Sequence, residues 1–327
     1  MRSRSEFAAI LILAIGQLFS PAEGNQTAPA PPPGKPPEKI IIDTDIGGDI
    51  DDAFAVALAL RSPEFNILGI TTASGDTEAR ARILDRMLGE VGRQDIAVAV
   101  GAPTTLPYGA TVDQHRYGET GHFARPTHPE AVAFLRDQIE RYPGEITLVA
   151  IGPLTNVGAL IDQHPDVFRK LKRVVIMGGW IEPLKPNYGN AAPTGPFPEY
   201  NIVGDIPGAQ KLFRSGIPLY VMPIDSTLHL ALDEINRQVI FSQATPLTDS
   251  LTLQYHQWNG GVTPVLFDAM TLAYLLDPKL CPVKPLHIRV DDKGATLVEP
   301  GTANAQVCLH SDPDAFFRFY MNRLLAP

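Results

Sequence analysis

Six short apolar runs, at residues 39–43, 67–72, 96–100, 146–150, 173–177 and 219–223, recur along the chain with helix-like segments between them. The runs are continuous rather than alternating. A strand that is apolar on both sides is one buried on both faces, as happens when helices cover a parallel sheet from above and below. The segments between them, such as 52–61, 77–91, 129–141 and 156–162, have helical length and periodicity. The β-α-β-α order predicts an α/β fold, with a doubly wound, mostly parallel central sheet and helices on both faces. With 327 residues, 44% of them hydrophobic, the chain can bury a large core, and no internal repeat divides it. A single folded domain over residues 39–327 is the simplest partition.

The residues before that domain read differently. Arg2 and Arg4 precede an apolar stretch from Phe7 to Phe19, followed by Ser20-Pro21-Ala22, so residues 1–22 are expected to be a signal peptide. The stretch is shorter than the roughly 20 residues of a membrane span, so no stable span is expected. Residues 23–38 are rich in Pro, Ala and Gly and predict a stiff extended linker. The protein is therefore expected to be exported, to a periplasm or the extracellular space. Its two cysteines, Cys281 and Cys308, fit no zinc spacing; in an exported chain they either pair or stay as buried thiols. The net charge of −9 excludes a nucleic-acid backbone as the main partner and is compatible with a divalent cation and a small neutral ligand.

In a doubly wound fold, ligands sit outside the carboxyl ends of the strands. The richest segment at such a position follows the first run: Asp43, Asp45, Asp49, Asp51 and Asp52 fall within ten residues. Asp43 and Asp45 share a face by the strand period of two, Gly47-Gly48 permits a tight turn, and Asp51-Asp52 opens the next helix, where the helix dipole favours anions. So many carboxylates repel one another unless a cation compensates, and Ca²⁺ accepts the most carboxylates with the loosest geometry. The competing reading is a solvated loop with ordinary acidic helix caps. An EF-hand is excluded, because the loop does not lie between two helices and lacks the closing Glu.

Asp43-Thr44-Asp45 and Asp51-Asp52-Ala53 resemble the N-terminal signature of nucleoside hydrolases, with two extra loop residues. Further segments resemble that family in order. Gly69-Ile70-Thr71-Thr72 with Gly75-Asp76 is similar to its second-strand segment. Ile151-Gly152-Pro153-Leu154-Thr155-Asn156 is similar to the loop that offers a carbonyl to calcium. Val175-Ile176-Met177-Gly178-Gly179, Gly189-Asn190 and Pro198-Glu199-Tyr200-Asn201 are similar to its ribose-binding stretch, and Phe267-Asp268-Ala269 with Leu276-Asp277-Pro278 to its C-terminal calcium segment.

The resemblance implies calcium-dependent hydrolysis of the N-glycosidic bond of ribonucleosides, serving purine and pyrimidine salvage, by a homo-oligomer (dimer or tetramer). It implies that Asp45, Asp52 and Asp268 ligate Ca²⁺ by side chain and Ile151 by its carbonyl. It makes Asp45 the general base for the attacking water. Asp51, Asn190, Glu199 and Asn201 would bind ribose hydroxyls, with Asp76, Met177, Tyr117 and Phe267 completing the substrate site. Asp43 would support the ligands from behind.

The chain also departs from the family. Phe267 and Tyr117 stand where studied members carry histidines, and Asp76 where many carry Asn. Tyr117 is then a candidate proton donor and Phe267 a candidate stacking ring, while His122 and His256 are the histidines nearest these motifs. Two other functions compete. Asp43-Thr44-Asp45 after a strand also suits a haloacid-dehalogenase-like phosphatase, although that chemistry wants a later Lys. An exported calcium-dependent ribosyl-binding protein would need no leaving-group acid.

Overall fold

The first apolar run forms β1 (Glu38–Thr44), whose isoleucines face both ways. Ile40 and Ile42 enter one hydrophobic cluster with Phe54, Leu58, Ile83 and Leu84; Ile41 enters a second with Phe134, Leu135, Leu160 and Phe213. Two cores on opposite faces of one strand are what the continuous apolar run demands. The computed structural model describes residues 36–183 and 197–326. The expected signal peptide, all but residues 36–38 of the linker, and Asn190 lie outside the described residues.

The remaining strands are β2 (Phe65–Thr72), β3 (Ala97–Val100), β4 (Thr147–Ala150), β5 (Arg173–Met177), β6 (Leu219–Met222), β7 (Val283–Leu286), β8 (Ile288–Val290), β9 (Thr296–Val298) and β10 (Ala305–Cys308). Eight of them form one sheet in the order β3-β2-β1-β4-β5-β6-β10-β7, and β8 pairs with β9 in a separate hairpin. All neighbours in the large sheet are parallel except β10 and β7. The doubly wound, mostly parallel α/β arrangement expected from the sequence is therefore observed. The six runs became β1 to β6, with ends shifted by at most two residues. The C-terminal strands had no counterpart in the sequence reading, and one of them, β10, sits inside the sheet beside β6.

Helix α1 (Asp51–Leu60) has no exposed residue. Its sequence after the two aspartates is apolar on every side, so it can only be a core helix. Helix α2 (Thr77–Glu90) is amphipathic, and Asp76 caps it by accepting the Ala79 N–H at 2.9 Å. Among the described residues, no helix is long and apolar enough to cross a membrane.

Cys281 and Cys308 form a disulfide that ties the chain just before β7 to the end of β10. Both residues are buried in the cluster that also holds α1. Closing a loop across a sequence separation of 27 removes freedom from the unfolded chain, a contribution of about 3 kcal/mol. The double variant Cys281→Ser/Cys308→Ser is expected to melt at a markedly lower temperature than the wild type, with the same shift on adding reductant to the wild type. Equal melting temperatures would show the bridge to be thermodynamically idle.

Candidate active site

The sheet order reverses at β1, which has β2 on one side and β4 on the other. That switch point opens a crevice beyond the carboxyl ends of the strands. Asp45 follows β1, Ile151 follows β4 and Met177 closes β5, and all three line one cavity with Asp51, Asp52 and Asp268. Two glycines make the approach possible. A side chain at Gly152 would stand 2.8 Å from the Asp45 backbone nitrogen, and Gly47 turns the loop with a φ of +103°.

The floor of the cavity is acidic and nearly dry. Asp45, Asp51, Asp52 and Asp268 are 7%, 4%, 2% and 3% exposed. Oxygens of Asp51, Asp52 and Asp268 lie within 4.8 Å of one another. Burial, then the neighbouring carboxylates, pushes Asp52 and Asp268 well above the usual carboxylate range; burial and Asp49 do the same to Asp51. Burial also pushes Asp45 up to about 6, although the Arg80 guanidinium opposes the shift. Asp43 stands behind them, likewise raised by burial to about 6, and accepts bonds from Thr71 Oγ1 at 2.5 Å and Asn156 Nδ2 at 2.7 Å.

This arrangement fits a hard divalent cation. Asp268 occupies the N-cap position of the helix Ala269–Leu276, yet its side chain caps nothing. Thr44 donates to Asp52, and the Asp268 N–H donates to Asp51 Oδ2 at 3.2 Å, so the protein supplies only a few donors to a crowded set of acceptors. The solvated-loop reading of the acidic segment fails on this burial. Asp277, by contrast, only accepts the Lys279 N–H in the turn that ends that helix.

Above the floor, Glu199 and Asn201 line the cavity. Glu199 accepts the N–H groups of Gly179, Asn201 and Ile202 at 3.0, 2.9 and 3.1 Å, which fixes the short helix Tyr200–Gly204. Asn201 Nδ2 donates to the carbonyls of Ile151 and Met177, each at 3.2 Å. A carbonyl has two lone pairs, so Ile151 retains one for a further partner. Aromatic rings line the same cavity: Phe267, Trp258 and Trp180, with Phe197 packed edge-on against Trp180 at 5.3 Å between ring centres.

Residues 40–318 match the family described as inosine-uridine preferring nucleoside hydrolase. The chain belongs to that family. It is a hydrolase acting on N-glycosyl bonds. Over 275 residues it is 32% identical to the pyrimidine-specific ribonucleoside hydrolase RihA of Citrobacter koseri, covering 78% of this chain and 84% of that protein. RihA of Escherichia coli O1:K1 is 33% identical, with 78% and 85% covered. Among solved structures, the plant nucleoside hydrolase PpNRh1 superposes with a TM-score of 0.77 at 28% identity, covering 89% of this chain and all of that one. A purine-preferring ribonucleoside hydrolase from Gardnerella vaginalis superposes at 0.72 and 25% identity, with 88% and 98% covered.

Within this nucleoside hydrolase, two expected substrate residues stand elsewhere. Tyr117 is completely buried, and its hydroxyl is engaged by Glu90 at 2.6 Å and Ser250 at 2.7 Å. Burial and Glu90 hold the phenol far above its usual range, so it is a core residue and not a proton donor at the cavity. Asp76 lines an adjacent cleft with Thr104 and Arg82, and its carboxylate is used as the α2 cap. His122 is exposed, His256 packs on Phe241 and Tyr255, and neither lines the cavity. No lysine or arginine lines it among the described residues.

Several residues around the site escaped the sequence reading. Trp180, Phe197 and Trp258 complete the wall, and only Trp180 carried a signal, since it follows Gly178-Gly179 at a strand end. Arg80 and Gln114 hold the acidic loop from outside. Arg80 shares its helix face with Ile83, Leu84 and Met87, an i, i+3, i+4, i+7 set that marks it as buried. Asn156 belongs with them through its bond to Asp43.

A divalent cation is expected to raise the melting temperature of metal-stripped protein, since it binds only the folded cluster. A hundredfold excess over Kd contributes about 2.7 kcal/mol. Asp268→Asn is expected to lose most of that rise. Scanning calorimetry with chelator and then added metal checks this; an unmoved wild-type transition would remove the cation site.

Proposed function

We propose that the protein is an exported, calcium-dependent ribohydrolase that splits ribonucleosides into ribose and free base. The observation that carries this reading is the lining of one cavity by both buried carboxylates and flat rings. A ribonucleoside has the same polarity, with a hydroxyl-rich sugar at one end and a planar base at the other. The ribonucleoside hydrolases among its relatives support the substrate class.

Asp45, Asp52, Asp268 and the Ile151 carbonyl would hold Ca²⁺, which supplies positive charge against which the ribose diol and a water are oriented. The chain's own groups do the rest. Asp45 takes a proton from the attacking water as its oxygen bonds to the anomeric carbon, and the carbon–nitrogen bond breaks with its electron pair passing to the base. Asp51, Glu199 and Asn201 accept or donate to the ribose hydroxyls, with Met177 beneath the sugar. Phe267 and the tryptophans stack on the base, and stacking takes any base because every base has a π-face. The relatives named for pyrimidine specificity and for purine preference are both compatible with such a wall.

Export is supported by the Cys281–Cys308 bridge, since disulfides persist in oxidising compartments, together with the charged and apolar N-terminal stretch.

Incubation with a panel including inosine and uridine, scored for released ribose, tests the function. Turnover that stops on chelation and returns with Ca²⁺ is expected. Tight nucleoside binding without ribose release would instead favour a binding protein. Asp45→Asn is expected to lower kcat by about 10²–10⁴-fold while nucleoside binding remains measurable by calorimetry. Near-normal kcat in that variant would place the base elsewhere.

A further inference from the structure

Five consecutive carbonyls, those of Asp45 to Asp49, are taken up by only two residues. The Arg80 guanidinium donates through one nitrogen to the carbonyls of Asp45 and Ile46, and through Nε to the Ser74 carbonyl at 2.8 Å. Its remaining nitrogen stands 3.9 Å from Asp45 Oδ2. Gln114 donates its backbone N–H to the Gly47 carbonyl at 3.1 Å and its side-chain amide to the carbonyls of Gly48 and Asp49 at 3.1 and 3.0 Å. Both residues are 0% exposed. Ser74, which Arg80 also fixes, has a φ of +66° although it is not glycine, so the exit of β2 is held in an uncommon conformation by the same group.

This clamp has a consequence for the cavity. With the carbonyls drawn toward Arg80 and Gln114, the side chains of Asp45, Asp49 and Asp51 line the cavity. A guanidinium is always charged and presents its donors in a rigid plane, so it reaches the Ser74 carbonyl, two loop carbonyls and the Asp45 carboxylate together. A lysine ammonium at the same place is a point charge and cannot span that set. Gln114 is equally constrained, because only the nitrogen of its amide can serve two carbonyls.

We propose that Arg80 and Gln114 are positioning residues of the hydrolytic site, holding the segment from Asp45 to Asp49 by its five carbonyls so that the Asp45 and Asp51 carboxylates keep their place in the cavity. The proposal rests on the calcium-dependent hydrolase reading, and its test separates the two. Neither residue touches substrate; both act through Asp45 and Asp51.

The full-length protein is compared with Arg80→Lys, Gln114→Met and Arg80→Ala. Melting temperature, kcat and KM for inosine and uridine, and Ca²⁺ affinity by calorimetry on metal-stripped protein are measured. In folded Arg80→Lys and Gln114→Met, kcat is expected to fall about 10–100-fold and Ca²⁺ affinity about tenfold, with KM changing less than about threefold. Added guanidinium ion is expected to restore part of the kcat of Arg80→Ala and none of that of Asp45→Asn. Folded variants with kcat and Ca²⁺ affinity within about twofold of wild type would overturn the proposal and leave Arg80 as scaffold only. If the Arg80 variants do not fold, Gln114→Met decides by the same criteria. A wild type that binds Ca²⁺ but releases no ribose sinks the hydrolase reading alone, and the affinity comparison still decides the clamp. A wild type that does neither overturns both.

Discussion

Four carboxylates brought into a nearly water-free pocket at the start of a core helix set the terms for the rest of this molecule. Asp51 and Asp52 open α1, and the helix they open has no exposed residue. Their charge therefore cannot be relieved by turning outward. It is met by the positive end of the helix dipole, by Thr44 and the Asp268 amide, and at Asp52 by the Arg80 guanidinium. The same crowding that makes the cluster costly without a cation makes it a strong site for one.

The sheet explains why these groups meet. Asp45, Ile151 and Met177 each follow or end a parallel strand, at the point where strand order reverses, and Asp268 comes from a helix packed against α1. Asp45 and Met177, more than a hundred positions apart, converge because parallel strands deliver all their carboxyl ends to one edge. The aromatic wall is assembled differently, from segments that follow β5 and flank the helix Ala269–Leu276.

What the sequence revealed, and what it hid, follows from how local each cause is. The strands β1 to β6 were visible because burial on both faces forces an unbroken apolar run, as in Ile40-Ile41-Ile42. The acidic loop was visible because its residues adjoin in the chain. β10 was hidden: Ala305–Cys308 is short, and its place between β6 and β7 is fixed by pairing with strands far away in sequence. Tyr117 was misplaced because an aligned position says nothing about where a side chain points, and here it points into the core toward Glu90 and Ser250. Arg80 was overlooked as one basic residue on a polar-looking helix, although its spacing to Ile83, Leu84 and Met87 carried the information. Gln114 left no local trace.

The two halves of the cavity answer to different parts of the fold. The carboxylate floor is continuous with the main hydrophobic cluster through α1, so any substitution that repacks that helix also moves the floor. Phe197 lies on largely solvent-facing chain, where a lost ring costs the core little, whereas Trp258 and Phe267 pack against the main cluster. The acidic end of the cavity is thus anchored to the part of the protein that tolerates change least, and the Phe197 edge to a part that tolerates more. A lineage built on this plan can vary the rim of its cavity at Phe197 while the carboxylate floor stays fixed.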